Sequence, residues 1–173
     1  MANQTDMQAM MDVYEKLGTP AEQHKMLASM AGSYDATIKN WTVQGEPPME
    51  SRGSSELRMI LGGRFLQEEH SSEMMGSMYN GMGITGYDNH TKKFVSTWID
   101  SMSTSIMCFE GSASPDNTSF TMECSYDDAV RGPMKWRSVT TIVNANVHNF
   151  EMFSIDQNGK QEKSMEITYT RKG

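Results

Sequence analysis

The sequence predicts an all-β protein, an antiparallel up-and-down β-barrel of about ten strands with one or two N-terminal helices. Three observations carry that prediction. Apolar residues recur with a helical period up to Gly32 and with a strand period after it. About ten short segments then follow at regular spacing, divided by turn residues and never by a helix, and closing such a meander removes exposed edges. The stretch 78–104 reads as a hairpin. Phe94 to Asp100 suits a pleated, half-buried strand, and glycines at 81, 83 and 86 leave the facing strand bare enough for a ring such as Trp98 to lie on its backbone.

At the start of the chain, Thr5 precedes Gln8 by three, and Met7, Met10, Met11, Tyr14 and Leu17 keep a helical period closed by Gly18. Thr19-Pro20-Ala21-Glu22 then offers a cap, a first-turn proline and an early acid for a second helix striped by Met26, Leu27 and Met30. Residues 1–31 are therefore expected to be a helical segment plugging or flanking a barrel formed by residues 32–173. Its strands are expected at about 33–43, 51–60, 64–74, 79–87, 93–100, 104–112, 119–126, 135–143, 148–155 and 163–171. The connectors have turn chemistry, with Gly62-Gly63, Asp88-Asn89, Ser114-Pro115-Asp116-Asn117 and Asn158-Gly159 among them.

Composition bounds the function. With 15 basic and 22 acidic residues the net charge is −7, and no basic run or basic-aromatic patch is present, which argues against nucleic acid or an anionic membrane as partner. The N-terminus lacks a basic and apolar leader and no apolar run could span a bilayer, so a soluble, cytoplasmic protein is expected, with Cys108 and Cys124 as neighbouring thiols on one hairpin. Leu, Ile, Val and Phe together number only 26 of 173 residues, too few for an ordinary core, and the 18 methionines make up the deficit. Methionine here stands in for leucine as an adaptable filler. Soft-metal ligation by Met74, Met75, Met78 and Met82 is the competing reading, and the spread of methionine through every segment favours the first.

The segments Leu27-Ala28-Ser29-Met30-Ala31-Gly32-Ser33-Tyr34, Leu61-Gly62-Gly63-Arg64-Phe65-Leu66, Gly86-Tyr87-Asp88-Asn89, Thr97-Trp98-Ile99-Asp100-Ser101-Met102 and Tyr169-Thr170-Arg171 resemble the bacterial domain-of-unknown-function family 1579. The resemblance covers nearly the whole chain from Leu27 onward. It implies a calycin-like, lipocalin-related barrel and no particular activity. In lipocalin-like proteins a Gly-x-Trp opens the first strand, and a basic residue of the last strand packs across that ring. Gly32-Ser33-Tyr34 and Arg171 stand in those places, with tyrosine for tryptophan, and a guanidinium stacks on a phenol face as well.

Candidate chemistry is sparse. No pair among His24, His70, His90 and His148 has ligand spacing. Glu68 and His70 share a strand face, and with Glu69, Ser71, Ser72 and Glu73 beside them they read as an exposed polar face. Nitrobindin-type heme barrels resemble this architecture and ligate iron through a late-chain histidine, which makes His148, on one face with Phe150 and Met152, the candidate heme ligand. No nucleophile motif or phosphate loop is present, so hydrolase and nucleotide-enzyme readings find no support.

Three functional readings remain. In the first, the barrel binds a small, partly apolar ligand lined by Phe94, Trp98 and Tyr87, with Asp100 on the same face and Arg64 or Arg137 meeting any carboxylate. Either arginine could instead form a structural ion pair. In the second, Asp100 desolvated beside Trp98 is a general base for isomerisation or hydration. In the third, a filled, ligand-free barrel is a scaffold that pairs with a second copy through an outer sheet face. The binding reading is the expectation, without a resident cofactor or metal.

Overall fold

The computed structural model of the chain describes residues 4–43, 45–74, 76–128 and 132–173. Helices α1 (Gln4–Gly18) and α2 (Glu22–Ser29) precede ten strands: β1 (Gly32–Asn40), β2 (Met49–Ile60), β3 (Phe65–Met74), β4 (Ser77–Asp88), β5 (Lys93–Asp100), β6 (Met107–Ala113), β7 (Ser119–Asp128), β8 (Gly132–Asn144), β9 (Val147–Ile155) and β10 (Gln161–Arg171). Each strand pairs antiparallel with its sequence neighbour, and β10 pairs with β1 to close the barrel.

Closure is sealed by side chains as well as by the backbone ladder. Tyr34 and Arg171 are register partners, and the guanidinium lies 4.8 Å from the centre of the phenol ring. Arg171 donates to the carbonyls of Ala31 (2.7 Å), Ser29 (3.0 Å) and Ala145 (3.0 Å). The Tyr34 hydroxyl donates to the Met30 carbonyl at 2.9 Å. Gly32 has to be glycine here: its φ is +151°, and a Cβ on it would stand 2.0 Å from Arg171 Nη1. The Gly-x-Tyr and terminal-arginine positions thus pack as the resemblance implies.

The helical segment divides into two parts with different roles. Met26, Leu27 and Met30 of α2 and its C-cap are buried against one barrel end, over Phe94 and Phe120, which stack at 4.8 Å. The α2 cap departs from expectation. Ala21 is its N-cap, and the Ala21 N–H donates to His24 Nδ1 at 2.9 Å. Thr19 instead donates back to the Glu15 carbonyl at the end of α1. The α1 stripe does not plug the barrel: Met7, Met10, Met11 and Tyr14 are all exposed, and the helix is tethered where Asn89 Nδ2 donates to the carbonyls of Leu17 and Thr19 at 2.8 Å each. Since α1 begins at Gln4, Thr5 lies in its first turn, while the capping role of its side chain, like Met75, lies outside the described residues.

Only part of the methionine fills the interior as a substitute for leucine would: Met26, Met30 and Met122 are buried, whereas Met7, Met10, Met11, Met49 and Met102 are exposed. Met78 and Met82 of the suspected soft-metal cluster are exposed, on the outer face, whereas Met74 faces inward. Cys108 and Cys124 sit on the paired strands β6 and β7, one exposed and one buried. No helix among the described residues is long and apolar enough to cross a membrane.

Candidate functional site

Inside the barrel lies a cavity of about 220 Å³. Its walls are predominantly apolar, and six of its lining residues are methionines: Met30, Met74, Met107, Met122, Met152 and Met165. One wall of it is thinned by glycine and covered by Trp98. Gly81 and Gly83 of β4 are the partners of Asp100 and Trp98 on β5, and the indole lies flat over both glycines. A Cβ on Gly81 would come within 2.2 Å of Trp98 Cζ2, and one on Gly83 within 2.9 Å of Cε3.

Polar groups enter the cavity in two connected sets. In the first, Trp98 Nε1 donates to the Tyr79 hydroxyl at 3.0 Å, and Tyr79 reaches Asp100 Oδ2 at 3.4 Å. Burial pushes the Tyr79 phenol up to about 12, so it remains a neutral donor. Asp100 Oδ1 is occupied by the backbone N–H groups of Met102 and Ser103 at 2.9 and 3.1 Å. It therefore serves as the anchor of the turn after β5 while still lining the cavity.

The second set, Ser55, Glu68, His70 and Tyr169, adjoins the first, with the His70 and Tyr79 rings 6.0 Å apart. Glu68 Oε1 accepts from the Ser55 and Tyr169 hydroxyls, each at 3.0 Å, and Ser55 Oγ lies 2.8 Å from His70 Nδ1. Burial raises the Glu68 pKa, and the two hydroxyl donors oppose that shift without cancelling it. Burial also holds His70 down to about 4, leaving a neutral imidazole at physiological pH. Protein surrounds the Glu68 carboxyl, and the surface this side chain retains is the part that lines the cavity.

The residues singled out from the sequence fall in four places. Trp98 and Asp100 line the cavity, on the shared face expected for them. Phe94 and Tyr87 belong to the packed end beneath α2: their rings meet at 5.1 Å, and Tyr87 stands edge-on to His24 at 6.0 Å. Arg64 and Arg137, expected to face the lumen, lie outside it. Arg64 is lifted out by the Leu61-Gly62-Gly63 turn, where every φ is positive, and donates to the Leu61 carbonyl at 3.1 Å. Arg137 alternates with inward Trp136 and Ser138, so it points outward, to Glu123 at 2.7 and 2.9 Å and to Gln161 at 2.7 Å.

His148 lies in the seam rather than the cavity. It stacks on Tyr169 at 4.4 Å and meets Tyr34 edge-on at 4.7 Å, and burial, with the Arg171 charge nearby, holds its pKa down to about 4. An imidazole covered by two phenol rings and absent from the cavity wall does not fit an iron ligand to a heme in that cavity.

Glu68 and His70 are the cavity residues that sequence reasoning placed on the wrong face. Their polar neighbours suggested exposure, yet both point inward with Leu66 and Ser72. The available signal was parity: they share the alternation of Leu66 and pair with Gly83 and Gly81, the glycines already read as lying under Trp98.

Comparison with known proteins identifies the fold more widely. The S-type phycobiliprotein lyase CPES from Guillardia theta is similar at 10% identity, covering 92% of this chain and 97% of that one, with a TM-score of 0.61. A redesigned β-barrel, b11L5F_LGL, is similar at 12% identity over 86% of this chain and 96% of that one, with a TM-score of 0.46. No curated protein matches the chain significantly. The family model described as "Protein of unknown function (DUF1579)" matches residues 19–171, which takes in α2 and all ten strands. The chain belongs to that family.

Proposed function

We propose that the barrel binds a small, largely apolar ligand in its central cavity. The observation that carries this reading is the cavity itself, about 220 Å³ with an apolar wall on which a few polar groups converge. Ligand sites are concave and apolar with few polar groups that orient the occupant. The size bounds the ligand. A dry apolar cavity of about 150 Å³ accepts benzene, so this one suits a singly substituted ring or a compact aliphatic chain, and it lies below the roughly 300 Å³ at which drug-sized pockets begin. The six methionines give the wall room to adapt to related shapes.

Support does not extend to a carboxylate-bearing ligand, because Arg64 and Arg137 are both engaged on the outside. The lyase named above carries a related barrel, and at 10% identity only the barrel carries over to this chain.

The test is native mass spectrometry of the protein purified from its host, followed by titration of small aromatic and branched aliphatic compounds with tryptophan fluorescence as the readout. A saturable change that Trp98→Phe removes, and that Trp41→Phe and Trp136→Phe leave, is expected. Absence of any saturable change across the series, with no co-purifying small molecule, would remove the binding reading.

A further inference from the structure

We propose that Glu68 is a hydrogen-bond-donating anchor that selects uncharged ligands carrying an acceptor such as a ketone or aldehyde oxygen. The inference rests on the cavity reading above and names the ligand class that reading leaves open. Both protein donors that reach Glu68, the hydroxyls of Ser55 and Tyr169, converge on the same oxygen, Oε1. Oε2 takes no hydrogen bond from the described residues, on a side chain that lines the cavity.

The titratable groups lining the cavity are Glu68, His70, Tyr79, Asp100 and Tyr169, and none is a lysine or arginine. An ionised Glu68 would therefore be a buried carboxylate without a cation, which costs several kcal/mol and is relieved by taking up a proton. Once neutral, the carboxyl group has distinct oxygens. Oε1 is the carbonyl oxygen that accepts from two hydroxyls, and the proton belongs on Oε2, which has no hydrogen-bond partner among the described residues and is free to donate to a ligand.

The surrounding chain is consistent with that polarity. Ser55 has one hydroxyl proton, and donating it to Glu68 leaves its oxygen to accept from His70 Nδ1, which fixes the neutral imidazole as the Nδ1–H tautomer. The direction runs from His70 through Ser55 to Oε1, which makes Oε1 the acceptor and leaves Oε2 to carry the proton. An anionic ligand would meet two carboxyl groups and no counter-charge. A neutral Glu68 offers a cationic ligand no counter-charge, which leaves it only Asp100, already held by two backbone N–H groups.

Four compounds of nearly one shape separate the possibilities: acetophenone, ethylbenzene, 1-phenylethylamine and benzoate, titrated by calorimetry at pH 7. Acetophenone should bind at least tenfold more tightly than ethylbenzene, and benzoate should not bind. The infrared carbonyl stretch of isotope-labelled acetophenone should move to lower frequency in the protein than in an alkane solvent. Glu68→Leu should abolish that shift and the tenfold preference while leaving ethylbenzene binding in place, and Glu68→Gln, which still donates, should retain part of both.

Equal affinity for acetophenone and ethylbenzene, or tightest binding of the amine, would overturn the anchor and leave the cavity reading standing. The unshifted carbonyl stretch in the native protein would do the same without recourse to a variant. If none of the four binds, the cavity reading falls and the anchor falls with it.

Discussion

The guanidinium of Arg171 lies 4.8 Å from the ring centre of Tyr34, its register partner across the β10–β1 seam. A cation over an aromatic face contributes about 0.5 to 2 kcal/mol, and this one also satisfies three backbone carbonyls. Arg171→Ala should therefore destabilise the protein by about 1 to 3 kcal/mol in urea unfolding. A double-mutant cycle with Tyr34→Phe and Tyr34→Ala should show coupling for the ring and little for the hydroxyl, which bonds Met30 instead. Strict additivity with Tyr34→Ala would show that the stacking contributes nothing to closure.

Gly81 and Gly83 should not tolerate alanine while Trp98 is in place. The added methyl would collide with the indole at 2.2 and 2.9 Å respectively, and overpacking of this kind costs roughly 1 to 3 kcal/mol. Gly81→Ala should be the more severe, and Trp98→Leu should relieve part of its cost, so that the double variant is more stable than the sum of the singles implies. Thermal unfolding of the native protein, the three single variants and the double variant decides it.

Acid should weaken the fold before ordinary carboxylates titrate. His70 and His148 have folded pKa values of about 4 against 6.5 unfolded. Between those values the unfolded chain binds the extra protons, so stability is fully present above pH 6.5 and is lost as pH falls towards 4. Each imidazole contributes up to about 3 kcal/mol to that loss. The urea midpoint should decline over this range, and His148→Phe, which keeps an aromatic ring in the stack, should flatten the decline.

Glu68 should act in the opposite sense. Its raised pKa means that the folded protein holds a proton the unfolded chain has already released, so its contribution is complete below about pH 4.5 and is lost as pH rises through the folded value. Glu68→Gln should therefore gain stability relative to the native protein at pH 8 and not at pH 4, as read from denaturation midpoints at the two values.

Filling the cavity should separate binding from folding. Thr140 is a buried lining residue, and leucine in its place adds apolar volume on the cavity side. Thr140→Leu should weaken binding of ring-sized ligands by at least tenfold, and its melting temperature should stay within a few degrees of the native value. Unchanged binding would place the ligand elsewhere.

The barrel was legible because its evidence is local. Turn residues such as Asn158-Gly159 and Asp88-Asn89 bracket short runs of strand-forming side chains, and the observed strands fall within a few residues of those runs. The site was only half legible. Trp98 and Asp100 announced themselves by facing a strand of glycines. Glu68 and His70 did not, because the inner face of β3 is itself polar, so hydropathy could not tell its two sides apart. Arg64 and Arg137 were misplaced because a cavity-facing arginine and a surface arginine look alike until register and turn geometry are known. The exposed face of α1 likewise could not be read from its period, which says that a stripe exists and not what covers it.

The three carbonyls that Arg171 holds come from the end of α2, the entry to β1 and the turn before β9. The helical cover and the strand seam therefore share one fastening. A latch of that kind has no separate hinge: α2 cannot lift from its end of the barrel while Arg171 stays docked. Amide hydrogens at the α2–β1 junction and at the end of β10 should then exchange as one cooperative unit. Traffic through that end would run at the slow rate of seam opening, which leaves the far rim, where Met74, Asp100 and Met107 stand, as the faster way in and out.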